Sequence, residues 1–131
     1  MGNIERLRLA VDALRCKYHY DPETGLFFNR DNKNVIKGSL TSKGYLIVTV
    51  QEDDFKVALS YQKAAYVYCY GAYDETLFDV HHVNMIRQDN RIKNIRLMPK
   101  EQHRRIHRNV RKIRRLGFTQ WLQPQVIEAS L

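Results

Sequence analysis

The chain has 131 residues, 22 Lys+Arg against 14 Asp+Glu, a net charge of +8, 44% hydrophobic and 27% charged residues. These values exclude a disordered or collagen-like chain and fit one domain with its own core. Cys16 and Cys69 lack paired or metal-type spacing, no apolar run nears the ~18–20 residues of a membrane span, and Glu5, Arg6 and Arg8 interrupt any signal-peptide core. The expectation is a soluble, cytoplasmic chain with no membrane partner.

Residues 4–15 read as an amphipathic helix, with Ile4, Leu7, Val11 and Leu14 at helical spacing and Asn3 as N-cap. Asp21-Pro22-Glu23-Thr24-Gly25 has turn chemistry, because Pro presets φ and Gly tolerates positive φ. Leu26-Phe27-Phe28 follows as a strand, and Gly38 to Gly44 as a polar, flexible connection. Tyr45–Val50 and Phe55–Leu59, separated by Gln51-Glu52-Asp53-Asp54, read as a hairpin. Phe55, Val57 and Leu59 alternate with Lys56 and Ala58, so this second strand is amphipathic.

Ser60 and Gly71 bracket a helix at 61–70 that is apolar nearly all round and therefore expected in the core. Phe78 to Val83 and Ile92 to Met98 are strand candidates around a polar loop at 84–90. Pro99 suits the first turn of a last helix running to Leu116, with Gly117 as its stop and Ile106, Val110 and Ile113 as its docking stripe. Pro124 argues against one long terminal helix over 118–131.

The charge is concentrated on that last helix. Residues 100–115 hold eight Lys/Arg and a single acid, Glu101. Six of the eight are Arg, whose paired guanidinium donors match phosphate oxygens. A solvated face would need no such bias toward Arg.

Four of the five histidines fall within residues 81–107. His103 and His107 are four apart on the basic helix and share a face, the spacing by which two imidazoles hold one metal ion. His81 and His82 are strand neighbours, so they point to opposite faces. One of them can be a ligand while the other does a different job. With His81, His103 and His107 as ligands, an ion would keep positions open for a substrate oxygen.

Residues 79–107 resemble the HNH, or ββα-metal, endonuclease motif. The matching stretches are Asp79-Val80-His81-His82-Val83-Asn84, then Asp89-Asn90-Arg91-Ile92-Lys93-Asn94-Ile95-Arg96-Leu97, then Glu101-Gln102-His103. H, N and H fall on His82, Asn94 and His103. The resemblance implies that His82 is the general base, that His81 and His103 bind a divalent metal, and that Asn94 fixes the loop and helps orient the base. His107 matches the extra helix histidine of the nuclease colicins. Tyr20–Phe27, Gly44-Tyr45-Leu46 and Asp89-Asn90-Arg91 are also similar to phage-borne HNH homing endonucleases, where the N-terminal β region helps hold DNA.

Two departures stand out. Many phage relatives have Asp in place of His81 and Asn in place of His103. Such an oxygen-rich site suits Mg²⁺, whereas imidazoles suit Zn²⁺, Ni²⁺, Mn²⁺ or Co²⁺. Tyr61-Gln62-Lys63 stands where the family often has His-Arg.

The expected fold class is α+β: an N-terminal helix, a small antiparallel β region, a buried helix, then a ββα-metal motif with a basic helix. It would form one domain over 1–131, with 18–71 as a β-rich DNA-holding scaffold and 78–116 as the HNH motif. The expected function is a homing-type endonuclease cutting double-stranded DNA with one divalent metal ion (Mg, Mn, Zn or Ni), as a monomer or homodimer. Arg91, Arg104, Arg105, Arg108, Arg111 and Lys112 would contact DNA. A non-catalytic DNA-binding module with a structural zinc, or a phage interaction protein on the same scaffold, are the rival expectations.

Overall fold

A computed structural model describes residues 2–117. The expectation for 118–131 lies outside them. Among the described residues the architecture is α+β, with three α-helices and three small antiparallel sheets.

Helix α1 (Asn3–Lys17) buries Leu7, Ala10, Val11, Ala13 and Leu14, one stripe that packs on a later helix and strand. Asn3 is inside the helix rather than capping it. Gly2 precedes it, and its N–H donates to Glu5 Oε2 at 3.2 Å, so the first-turn acid supplies the capping interaction.

Strands β1 (Tyr18–Asp21) and β2 (Leu26–Asn29) form a hairpin around the anticipated turn. Asp21 Oδ1 accepts from Glu23 N–H at 3.0 Å, and Gly25 closes the turn at φ +75°. β3 (Val35–Ile36) adds a third strand that the sequence did not announce. β4 (Ser39–Leu40) likewise falls within the segment expected to be a flexible connection. Both are two residues long, too short for alternation to register. β5 (Leu46–Glu52) and β6 (Phe55–Ser60) make the expected hairpin with a tighter turn, because Gln51 and Glu52 remain paired in the ladder.

Helix α2 (Tyr61–Tyr70) joins this region to the C-terminal part and buries Tyr61, Gln62, Ala64, Ala65 and Val67. Its last turn is exposed at Cys69 and Tyr70, so only its first two turns lie in the core. The aromatic centre is Phe27, fully buried, with the rings of Tyr18, Tyr20, Tyr61 and Tyr68 at 4.9–6.3 Å. The Tyr61 hydroxyl stitches the first sheet to α2. It donates to Ile36 O at 3.0 Å and accepts from Phe27 N–H at 2.7 Å.

The C-terminal part is a ββα unit. β7 (Phe78–His82) pairs with β8 (Ile95–Pro99), and α3 (Lys100–Arg115) packs across both. Residues 92–94, expected in the second strand, form a 3₁₀ turn in which Asn94 N–H bonds Arg91 O at 2.9 Å. Ile106 and Val110 dock α3 on Met98, with Met85 closing over them. No helix among the described residues is long and apolar enough to cross a membrane.

Candidate active site

β7 ends with two buried histidines, 1% and 5% exposed, on opposite faces of the strand. His81 faces α3. Its ring centroid lies 5.1 Å from that of His103 and 6.1 Å from that of His107. One ring nitrogen from each of the three lies within 4.8 Å of the others.

Asp79, two residues earlier and therefore on the same face, receives Nδ1–H of His103 at 3.1 Å and Nζ of Lys100 at 3.0 Å. A carboxylate can only accept here, so His103 turns Nε2 toward the cluster, 3.0 Å from His107 Nε2. Carboxylates commonly hold metal-binding imidazoles in this way. Asp79 lies in the matching stretch but has no role expected from sequence; its two-residue spacing from His81 is the available signal.

The donor set fits a divalent ion. His81 Nε2 is a buried nitrogen with no hydrogen-bond partner. Burial, helped by the neighbouring imidazoles, pushes His81 down to about 3, and burial followed by His103 pushes His107 down to about 4. Neutral imidazoles are the metal-binding form. A cavity of about 30 Å³ opens between them, lined also by Tyr45, Gln62 and Arg87, enough for an ion or a water. A wider cleft of about 280 Å³ adjoins it through Gln62, Val80 and His103. Its lysines, Lys63 and Lys100, are already paired with Glu75 and Asp79.

His82 also lines the small cavity, but its ring turns to partners other than those of His81. Its Nε2 is 2.8 Å from Asn90 Oδ1, and its ring stacks on Tyr45 at 6.2 Å. Donation of Nε2–H to that oxygen leaves Nδ1 with the free lone pair. Burial holds its pKa below the ordinary value, against an opposing pull from the Asn90 hydrogen bond.

Asn94 does not hold the His82 ring, contrary to one expectation. Its side chain accepts from Asn84 N–H at 2.9 Å and donates to Asn84 Oδ1 at 2.9 Å and Asp89 O at 2.8 Å. It closes the 84–89 loop, and Asn90 is the residue on the ring. Sequence offers three asparagines between β7 and β8, Asn84, Asn90 and Asn94, and no means of telling which faces His82.

The basic residues separate into two groups. Arg91 is bound through Nε and Nη2 to Asp89 at 2.8 and 2.7 Å, so its guanidinium braces the loop. Arg104 and Arg108 lie 3.5 and 3.4 Å from Glu101, while Arg105, Arg111 and Lys112 are exposed along α3. Arg87, not among the expected DNA contacts, stacks 4.8 Å over Tyr45 and donates to Lys43 O. It adds a cation at the rim of the small cavity.

A two-stranded hairpin crossed by a helix, with imidazoles from strand and helix converging on one point, is the arrangement of an HNH-type fold. The HNH endonuclease family model matches residues 63–105. Among solved structures, that of DNA binding and cleavage by the HNH homing endonuclease I-HmuI is similar, with a TM-score of 0.53 and 19% identity. The match covers 77% of this chain and 53% of that one, so the chain spans about half the length of that structure's chain. No curated protein matches the chain.

Proposed function

We propose that the protein is a metal-dependent DNA endonuclease of the homing type, with His81, His103 and His107 holding one divalent ion and His82 acting as general base. The observation that carries this reading is the division of labour at the end of β7. His81 turns to two other imidazoles, and its neighbour turns to a hydrogen-bonding asparagine.

The ion, when bound, would supply positive charge to the scissile phosphate and the leaving oxygen. The protein's own part is to hold and move a proton. His82 is neutral near pH 7, and Nδ1 takes the proton of the attacking water. Asn90 keeps the ring from turning over. Asp79 keeps His103 in the tautomer that offers Nε2. Arg105, Arg111 and Lys112 grip flanking phosphates, contacts that position a duplex without reading its sequence. The dominance of imidazole favours Zn²⁺, Ni²⁺, Mn²⁺ or Co²⁺ over Mg²⁺.

The test is incubation with supercoiled plasmid across Mg²⁺, Mn²⁺, Ni²⁺ and Zn²⁺, with wild type beside His82→Ala and with chelator. Cleavage by wild type alone, abolished by chelator, is expected. Metal-independent cleavage, or equal cleavage by both proteins, would reject the assignment.

A further inference from the structure

The β1–β2 turn lies against the loop that carries Asn90, and the contacts are specific. The Tyr20 hydroxyl, on a residue 3% exposed, donates to Asn90 O at 2.5 Å across seventy positions of sequence. Pro22 O accepts Ile92 N–H at 3.2 Å. Between these two bonds, Gly25 sits on the 90–91 peptide itself. A Cβ there would stand 2.4 Å from Asn90 C and from Arg91 N, closer than any side-chain carbon comes to backbone. Gly25 also holds φ +75°, so the absence of a side chain serves the turn and the contact together. The backbone of Asn90 is thereby fixed from one side by residues 20–25. Asp89 fixes the other side through Arg91, Asn84 and Asn94.

We propose that the β1–β2 turn is a positioning element for the base, with Tyr20, Pro22 and Gly25 setting the Asn90 peptide so that Oδ1 holds His82 with Nε2 protonated and Nδ1 free. This rests on the reading of His82 as general base, and it gives residues 20–25 a different task from holding DNA. A side-chain amide accepts well from an imidazole only when its oxygen is placed within a few tenths of an ångström. Asn90 is 2% exposed and has that placement, with Oδ1 2.8 Å from His82 Nε2. Tyr20 suits a permanent donor, since burial pushes its phenol far above the ordinary range and keeps the proton in place. Its ring has a separate task in the core, 4.9 Å from Phe27. Removing the hydroxyl alone therefore separates positioning from packing.

The experiment uses full-length Tyr20→Phe, Asn90→Ala and the double variant, each loaded with the metal that supports plasmid cleavage. Two readouts are taken: the ¹⁵N imidazole spectrum of His82, which reports its tautomer, and the split of cleavage into kcat and KM. Wild type is expected to show a single Nε2–H tautomer. Tyr20→Phe should show a mixture of tautomers, a kcat lowered about tenfold, and unchanged KM and metal affinity. The double variant should be no slower than Asn90→Ala, because both changes break one chain of contacts. A single, wild-type tautomer in Tyr20→Phe would overturn the proposal, as would losses that multiply in the double variant. Were no metal to support cleavage, the nuclease reading would fail on its own. The metal-free tautomer spectra of the same three proteins would still decide the positioning claim.

Discussion

The N-terminal region and the ββα unit are built on opposite terms. Up to β6 the buried residues are all apolar or aromatic, gathered around Phe27, Val48 and Val50. From α2 onward the interior also takes in Gln62, His81, His82, Asn90 and Asn94, all at most 9% exposed. Burying such groups costs stability unless each finds a partner. Among the described residues the two buried side-chain atoms without one, Gln62 Oε1 and His81 Nε2, belong to residues lining the same small cavity. One region thus supplies cohesion, and the other uses that cohesion to hold polar groups where a ligand would satisfy them.

The largest effect that could break this contrast is His82→Ala. It should lower cleavage by about 10²–10⁴, the usual range for a general base, while calorimetry shows metal affinity unchanged. Next comes Phe27→Ala, expected to destabilise by ~3–5 kcal/mol in urea unfolding, since Phe27 is fully buried at the junction of five aromatic rings. A loss near zero would mean that the N-terminal region does not carry the fold. Asp79→Asn should weaken metal binding by about 10–100-fold through His103 while leaving the fold intact; equal affinity would remove Asp79 from the site. On the outer face of α3, replacing Arg111 or Lys112 by Ala should reduce the salt dependence of DNA affinity by about one unit of slope each.

The smallest effect is a pH dependence. Hydrogen bonds from Arg91 hold the Asp89 carboxyl down to about 2. A depressed carboxylate contributes stability that is fully present above its unfolded value, near ~4, and is lost as pH falls through the folded one. Asp89→Asn should therefore be less stable than wild type at neutral pH, with the gap closing between about pH 4 and 2 in thermal melts. A gap constant with pH would show that the Arg91 pair does not brace the loop.

Local signals were strong where periodicity and caps coincided. The 61–70 helix appears at the expected bounds, with Gly71 at φ +90° ending it, although the Ser60 side chain makes no capping hydrogen bond. The β5–β6 hairpin was legible from its alternation. β3 and β4 were not, because two-residue strands carry no period and exist only through pairing with neighbours. At the site, the i, i+4 spacing of His103 and His107 put both on one side of α3, and strand alternation separated His81 from His82. Asn94 fixes the loop as expected, but that Asn90 is the residue on the His82 ring was not legible, because the loop 84–94 folds by side-chain hydrogen bonds, which have no periodic signature.

The +8 charge and its concentration on one helix are legible in the sequence alone, as are the two neighbouring histidines that a strand turns apart. Covalent spacing settles both, since helix and strand geometry follow from the backbone. Only the tertiary structure decided which asparagine meets His82, which arginine is occupied by Asp89, and that the Tyr20–Gly25 hairpin leans on the loop that carries Asn90. Those contacts join residues far apart in the chain, and their hydrogen bonds depend on tenths of an ångström set by packing rather than by any local pattern.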